Sequence, residues 1–170
     1  MHPRTTTSLI LLVAPASVVA LGGWISSASA STPTCAGHAA TRVVTASSPH
    51  IVRGTSHRDV IVVRDSGHVI RAGAGADLVC GSGGHDVVYG GTGSDDLWGR
   101  GGDDDLVGGA GDDHLVGGPG DDDLVGGDGD DDLVGGNGDD TCEGGTGMDS
   151  EDGEHVSDPD DDLGDSSTDG

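Results

Sequence analysis

Bulky aliphatic side chains recur at every ninth residue through the middle of this chain, separated by short glycine-rich polar stretches. Counted in nines from Gly54, position eight is aliphatic in nine successive repeats: Ile61, Ile70, Val79, Val88, Leu97, Leu106, Leu115, Leu124 and Leu133. A fixed internal period of this kind is typical of a solenoid, in which each repeat buries its apolar side chain against its neighbours. The period predicts eleven repeats over residues 54–152.

The columns of the repeat differ in chemistry. Central repeats such as Gly108–Val116 and Gly117–Val125 read G-G-x-G-x-D-x-U-x, where U is a bulky aliphatic residue. Glycines at positions one, two and four permit backbone conformations that a Cβ forbids, so the first six residues are expected to form a tight turn. Positions seven to nine are expected to form a very short strand with only position eight pointing inward. Two repeats would make one coil around a thin apolar seam.

Position six predicts the chemistry of the repeats. It is aspartate in every repeat except the second, where it is His68: Asp59, Asp77, Asp86, Asp95, Asp104, Asp113, Asp122, Asp131, Asp140 and Asp149. A carboxylate at the end of a turn, beside carbonyls that glycines leave exposed, is a hard-oxygen environment. Calcium takes six to eight such oxygens, whereas zinc prefers His or Cys and magnesium keeps its waters. A divalent cation between stacked aspartates would also relieve their mutual repulsion.

The composition excludes several classes of protein. Seven basic residues stand against 31 acidic ones, the net charge is −24, and there is no Phe. Such a chain repels nucleic acid and anionic membranes, and it has too few large apolar side chains for a compact globule. This acidity would ordinarily forecast disorder, so we expect a cation to be part of the folded state.

The repeated motif resembles the calcium-binding nonapeptide repeats of the RTX (repeats-in-toxin) family, and the whole chain resembles small secreted actinobacterial calcium-binding proteins. The resemblance implies an all-β fold, a right-handed parallel β-roll (β-solenoid) with two nonapeptide repeats per coil. It also implies Ca²⁺ as the cofactor, bound by the position-six aspartates and by carbonyls at the glycine positions.

Departures from the motif limit the expected sites. The repeat around His68 lacks glycine at positions one, two and four, and is expected to hold no metal. Arg100 replaces a glycine at position two, and Glu151 places a carboxylate in the seam. We therefore expect the metal ligands at Asp95, Asp104, Asp113, Asp122, Asp131 and Asp140, with a weaker case for Asp77, Asp86 and Asp149.

The ends of the chain differ from the repeats. Residues 1–30 contain an apolar run and end in Ala28-Ser29-Ala30, which predicts a secretory signal peptide cleaved near Ala30; an uncleaved anchor helix is the alternative. Residues 31–53 form an N-terminal segment without repeats. Residues 153–170 are expected to form a disordered acidic tail.

The three cysteines must be interpreted for an oxidising compartment. Neighbouring strand residues point to opposite sides, so Cys80 at position nine should face outward and Cys142 at position eight inward. A Cys35–Cys80 disulfide, clamping residues 31–53 onto the first coils, is the favoured pairing. Three reduced thiols are the alternative, because pairing cannot be deduced from one sequence.

Other polar residues favour simpler interpretations. Aspartates at positions five and seven should point to solvent: Asp103, Asp105, Asp121, Asp123, Asp130 and Asp132. No known catalytic motif is present, and Asp113 with His114, the nearest approach to an acid and base pair, should face opposite ways. The sequence therefore predicts that the protein is not an enzyme.

The leading hypothesis is a secreted, extracellular calcium-binding β-roll that folds when Ca²⁺ bridges its turns. Two alternatives keep calcium in the account. One is a calcium-organised cell-surface or matrix protein with a cell-wall or polysaccharide partner. The other is a detached module that assists the secretion or folding of a separate hydrolase. No nucleic-acid partner and no membrane span in the mature chain are expected.

Overall fold

The computed structural model describes residues 33–152 and the backbone of residues 155 and 156. The leader predicted over residues 1–30, and the tail predicted over residues 153–170 apart from those two, lie outside the described residues. All regular secondary structure in the described part of the chain is β-strand, which confirms the all-β prediction. No helix in that part is long and apolar enough to cross a membrane.

Short strands follow one another along the described chain, and the later ones are mostly joined by three-residue turns. They are β1 (Thr34–Cys35), β2 (His38–Ala39), β3 (Arg42–Val44), β4 (Ile51–Arg53), β5 (Val60–Val63), β6 (Val69–Ala74), β7 (Leu78–Cys80), β8 (Val87–Thr92), β9 (Asp96–Trp98), β10 (Asp105–Ala110), β11 (His114–Pro119), β12 (Asp123–Asp128), β13 (Asp132–Asn137), β14 (Thr141–Thr146), β15 (Ser150–Asp152) and β16 (His155–Val156).

From β3 onward the strands alternate between two parallel sheets. The odd sheet has the order β15-β13-β11-β9-β7-β5-β3, and the even sheet has the order β16-β14-β12-β10-β8-β6-β4. Leu106 of β10 pairs with Val88 of β8 and with Leu124 of β12, so in-register neighbours are two repeats apart. The prediction of a parallel β-solenoid with two nonapeptides per coil is confirmed.

The strands in the regular coils are longer than the sequence predicted. β10 runs through positions seven to nine and on through positions one to three of the next repeat, and Gly109 still pairs with Gly91 and Gly127. The expected six-residue turn is therefore wrong there, and the turn is confined to positions four to six. Glycines at positions two and four, such as Gly109 and Gly111, have φ values of 120°, which a side chain rarely adopts.

The position-eight side chains form one buried row between the sheets. Leu97, Leu106 and Leu115 have no exposed surface, and Cys142 continues the row in place of an aliphatic residue. Burying one Leu contributes roughly 1.5–3 kcal/mol. Position one also faces inward, since its glycines are buried in the regular coils, so the expectation that only position eight points inward is wrong. At the far end Glu151 is half-buried in this row and accepts a hydrogen bond from the main-chain N–H of Gly144.

Strand pairing begins before the sequence motif does. β3 pairs with β5, and β4 pairs with β6, although neither β3 nor β4 belongs to a glycine-containing repeat. Val44 and Val52 are buried and extend the apolar row by one coil. Gly54 thus marks the start of the motif, whereas parallel pairing starts at Arg42.

A second, smaller apolar cluster lies on the outer side of the odd sheet. It contains Cys35, Val60, Val62, Leu78 and Cys80. The antiparallel hairpin β1–β2 brings Cys35 onto this surface, where it is disulfide-bonded to Cys80 with a Cα–Cα distance of 5.7 Å. Cys80 therefore faces away from the seam and is still buried, with 3 % exposure, because the hairpin covers it.

Candidate metal sites

The position-six aspartates end the turns and stack in two columns. Residues 18 apart lie in successive coils, so ladder one contains Asp59, Asp77, Asp95, Asp113, Asp131 and Asp149, while ladder two contains Asp86, Asp104, Asp122 and Asp140. All are buried except Asp149, which is half-buried. His68 occupies the first place of ladder two. The structure thus brings the sequence-predicted ligands together as two internal columns of carboxylates.

One carboxylate oxygen of every ladder residue except Asp59 and Asp86 accepts a hydrogen bond from the main chain of the preceding coil. Oδ1 of Asp122 accepts a hydrogen bond of 2.7 Å from the main-chain N–H of Asp104, and Oδ1 of Asp131 accepts one of 2.8 Å from Asp113. The same bond occurs eight times in the described residues, always with the donor one coil earlier. Sequence reasoning missed this structural role, although the 18-residue spacing of the aspartates was an available signal.

The second oxygen of most ladder residues has no partner. Buried Oδ2 atoms without a hydrogen bond belong to Asp77, Asp95, Asp104, Asp113, Asp122, Asp131 and Asp149. Leaving a buried charged oxygen unsatisfied is costly, and folded proteins rarely tolerate it without a bound ion or water. A repeated row of such oxygens is therefore the arrangement expected of a series of cation-binding sites.

Two ladder residues differ because a hydroxyl group faces them. Oδ2 of Asp86 accepts hydrogen bonds from the N–H and the hydroxyl of Ser82, at 2.9 and 2.8 Å. Oδ2 of Asp59 accepts the equivalent pair from Thr55, at 2.7 and 2.9 Å. Each of these donors lies in the same repeat as the aspartate that it binds, at position two, where the motif has glycine. These two Oδ2 atoms have protein donors, whereas Oδ1 of Asp86 is buried without a partner.

Position-one glycines leave an oxygen-lined space in front of the ladder carboxylates. A Cβ placed on Gly90 would lie 2.5 Å from Oδ2 of Asp95 and 2.7 Å from the carbonyl oxygen of Gly108 in the next coil. Equivalent Cβ atoms would meet the equivalent carboxylate and carbonyl oxygens at Gly99, Gly108 and Gly126. Carboxylate and carbonyl oxygens are the donors that calcium prefers, with bonds of about 2.3–2.6 Å. The residues present therefore fit a calcium ion.

Burial changes the acidity of the ladder. Burial raises the pKa of Asp104 and of Asp113 to about 7 and that of Asp95 to about 6, from an ordinary value of 3.8. The main-chain hydrogen bond to each carboxylate lowers its pKa in part, and the neighbouring ladder carboxylates raise it again. The pKa values of Asp77, Asp122 and Asp131 are raised for the same first reason. In the fold without metal, these groups resist ionisation chiefly because burial disfavours the charged carboxylate, and repulsion from neighbouring carboxylates adds to this effect.

Aspartates at positions five and seven lie outside the roll. Asp103, Asp121 and Asp130 at position five are exposed, as are Asp123 and Asp132 at position seven, while Asp105 is half-buried. Their predicted outward orientation is confirmed. Position five also has a role that the sequence did not predict. Oδ1 of Asp112 accepts a hydrogen bond of 3.1 Å from the main-chain N–H of Asp130, so here the donor is one coil later.

Asp113 and His114 face opposite ways, as the strand alternation predicted. Asp113 is buried in ladder one, whereas His114 lies on the outer face of the odd sheet. There its Nδ1 is 3.3 Å from Oδ1 of Asp96, and the ring makes an edge contact with Trp98 at a centroid distance of 5.7 Å. His114 therefore partners the outer carboxylates of neighbouring coils.

The departures from the motif keep the fold and change the local chemistry. His68 is buried, and its Nδ1 lies 3.0 Å from the carbonyl oxygen of Asp65. Arg100 adopts a φ of 81° at the position of the motif glycine, and its side chain is exposed. Within residues 33–152, no three His, Cys, Asp or Glu side chains converge to hold one metal ion.

Two parallel sheets joined by tight turns, with internal carboxylate ladders facing glycine carbonyls, define a metal-binding β-solenoid. The family model for the RTX calcium-binding nonapeptide repeat (4 copies) matches residues 53–88, 81–115 and 116–150, which is more than half of the chain. The chain belongs to this family, whose repeats bind Ca²⁺. No curated protein and no solved structure matches the chain.

Proposed function

We propose that this protein is a secreted calcium-dependent β-roll whose turns bind Ca²⁺ through Asp95, Asp104, Asp113, Asp122, Asp131 and Asp140. The observation that carries the proposal is the row of buried Oδ2 atoms without hydrogen-bond partners. Asp140 lacks this particular signature, but its Oδ1 accepts the ladder hydrogen bond from Asp122 at 2.9 Å, in the same register as the others.

The ladder also supports Asp77 and Asp149 as ligands. Both have a buried Oδ2 atom without a hydrogen bond. Oδ2 of Asp86, in contrast, already accepts two hydrogen bonds from Ser82. We therefore assign Asp59 to a structural role, and propose that the calcium-binding stretch runs from Asp77 to Asp149 on ladder one and from Asp86 to Asp140 on ladder two, where Asp86 offers only its buried Oδ1, which has no hydrogen-bond partner.

The chain's own residues explain why folding and calcium binding should be coupled. Each coil brings a ladder carboxylate beside that of the preceding coil in a buried place, where like charges repel strongly. Bound Ca²⁺ would supply the positive charge and the oxygen coordination that these carboxylates lack. Because the stacked turns exist only in the folded chain, the free energy of calcium binding adds to the free energy of folding.

The proposed location is outside the cell. The small-residue site near Ala30 supports cleavage of a signal peptide, and the Cys35–Cys80 disulfide suits an oxidising compartment. Extracellular calcium modules work at about 10⁻⁴–10⁻³ M Ca²⁺. The chain would then remain unfolded inside the cell and fold after export. We further propose that it is a binding module without enzymatic activity.

Far-UV circular dichroism of the purified protein, with calcium and with EDTA, tests the proposal. We expect a disordered spectrum in EDTA and a β-rich one in millimolar calcium, with a midpoint that magnesium does not reproduce. A spectrum that is β-rich in EDTA and unchanged by calcium would overturn the proposed coupling. Isothermal titration calorimetry on the same samples gives the number of sites.

A further inference from the structure

Position two of the repeats on one side of the roll carries an unusual column of residues. In three successive coils it is Arg64, Ser82 and Arg100, where the motif requires glycine, and only afterwards does it become Gly118 and Gly136. The strands preceding these residues lie side by side in the odd sheet, since Val62 pairs with Cys80 and Cys80 with Trp98. The two arginines are therefore two coils apart, with their Cα atoms separated by about 10 Å along the sheet.

These substitutions coincide with a change in the strands. β7 and β9 end at position nine, whereas β11 and β13 continue through glycines at positions one and two. The strands beside Ser82 therefore end before position two, although main-chain hydrogen bonds continue at Gly81, Gly99 and Arg100. A cavity of about 490 Å³ lies here, lined by Pro33, Thr34, Val62, Val63, Arg64, Ser82, Gly83 and Arg100.

The N-terminal hairpin provides one wall of this cavity. Pro33 and Thr34 belong to or directly precede β1, which the Cys35–Cys80 disulfide holds against the odd sheet. Val62 and Val63 supply the apolar part of the lining, and both are buried. A wall fixed by a covalent bond gives the cavity a defined shape.

Among the residues that the structure describes, the two guanidinium groups at the cavity have no acidic partner. Both arginines are exposed, and in the described part of the chain neither side chain makes an ion pair or a hydrogen bond. Carboxylates close to them in sequence accept other bonds: Asp65 from the N–H of Ala46, and Asp103 from that of Asp121. None of the arginine side chains in the described residues makes an ion pair, and Arg42 and Arg53 line a second cavity. Arg64 and Arg100 differ from those two because both stand at position two of a repeat, where the motif has glycine.

The backbone at Arg100 strengthens the case. Its φ of 81° is a conformation that favours glycine, and glycine is what the motif supplies at this position. Arginine adopts this conformation at an energetic cost, and residues other than glycine with a positive φ cluster at binding sites. Nothing in the packing compensates, because the side chain is exposed.

We propose that this cavity, beyond the calcium sites, binds an oxyanion group of a ligand between Arg64 and Arg100. Guanidinium groups recognise carboxylate, sulfate and phosphate through paired hydrogen bonds. Ser82 lies between the two arginines, but its hydroxyl and its N–H both donate to Asp86, so we assign it no contact with the ligand. The cavity size and the two separated cations suit an acidic oligosaccharide, and a free oxyanion offers the same chemistry.

Calorimetric titration of the full-length protein in 1 mM calcium tests the site with three probes: sodium sulfate, trigalacturonic acid and neutral maltotriose. We expect the acidic trisaccharide to bind and maltotriose not to bind. Arg64→Gln and Arg100→Gly should each weaken binding of the acidic probe at least tenfold. Arg53→Gln removes an arginine that lines a different cavity, and should leave binding unchanged.

Arg100→Gly is an informative variant because it restores the motif glycine at a positive φ, so it should fold at least as well as the parent. Circular dichroism in calcium checks this independently of ligand binding. Tighter binding of the trisaccharide than of sulfate supports a glycan subsite, and equal binding supports a site for the oxyanion alone. Failure of both acidic probes to bind, or equal binding by the parent and both cavity variants, would overturn the proposal.

Discussion

Asp122 accepts a 2.7 Å hydrogen bond at Oδ1 from the main-chain N–H of Asp104, while its own Oδ2 is buried without a partner. One carboxylate thus joins two coils through one oxygen and leaves the other available. The first oxygen is a structural group and the second is a candidate ligand. Substitutions that separate these two properties can test each of them.

Asp122→Asn should weaken calcium binding while leaving the hydrogen bond to Asp104 possible, because the amide oxygen can still accept. We expect the midpoint for calcium-induced folding to rise about tenfold, since the charge and number of ligands set calcium affinity. Asp123→Asn is the matched control: Asp123 is adjacent, exposed and at position seven. A common shift for both variants would mean that overall charge, not the ladder, sets the affinity.

Gly90→Ala should impair both folding and calcium binding. The added methyl group would occupy the space between Asp95 and the Gly108 carbonyl, where backbone cannot easily move. Gly101→Ala provides a control, since its Cβ would have no neighbour closer than 3.6 Å. Calcium titrations followed by circular dichroism should show a higher midpoint for the first variant only. Indistinguishable titrations would contradict the oxygen-lined space.

The stability of the metal-free fold should decrease as pH rises. The pKa values of Asp95, Asp104 and Asp113 are about 6, 7 and 7 in the fold, above the ordinary 3.8. Between these values the folded chain binds more protons than the unfolded chain, so the stabilisation is complete below about pH 4 and is lost as pH rises through 6 to 7. Calcium must displace these protons, so its affinity should increase over the same range.

Circular dichroism in calcium-free buffer between about pH 4 and pH 8 measures this dependence. We expect more β structure at the acidic end, and a smaller change in Asp104→Asn than in Asp123→Asn. More β structure at pH 8 than at pH 4 would reverse the sign and contradict the buried, protonated ladder.

Leu115→Ala should destabilise the calcium-loaded roll by about 2–5 kcal/mol, because Leu115 is fully buried in a row with no spare packing partners. Val116→Ala is the neighbouring control. Val116 is half-buried at position nine on the other side of the strand. Urea denaturation at fixed calcium measures both. Similar losses of stability would show that the apolar row is not the main source of packing energy.

Iodoacetamide labelling of the unreduced, denatured protein should modify one thiol, Cys142. Without denaturant that thiol should react slowly, because it is buried and burial raises its pKa to about 11. Mass spectrometry counts the labels. Three modified thiols would refute the Cys35–Cys80 disulfide.

The regular part of the fold was predictable because each position of the nine-residue repeat has one main structural role. The nine-residue period specified parallel coils, the apolar row at Leu106 and the stacking of Asp104 with the aspartates two repeats away. It did not predict that these aspartates are buried. The period did not show that strands extend over position-one and position-two glycines, because glycine is permissive and its partners decide its conformation. Position-one glycine proves to make room for a carboxylate, a contact between residues five positions apart.

The irregular part could not be read from the period. The coil formed by β3 and β4 lacks the motif, and the cluster under the hairpin depends on a long-range contact of Cys35 with Cys80. Ser82 and Thr55 occupy position two, where the motif has glycine, and each donates two hydrogen bonds to a ladder carboxylate. Hydrogen-bonded pairs of this kind can be recognised only from distances in the folded structure.

The direction of the ladder hydrogen bonds sets an order of completion. Each runs from the main-chain N–H of an earlier aspartate to a carboxylate 18 residues later. As the chain emerges with its N-terminus first, every new turn holds an open donor until the following coil arrives. A C-terminal truncation therefore leaves the main-chain N–H of the last remaining ladder aspartate without its acceptor. Each turn of the roll is completed only when the coil that follows it has formed.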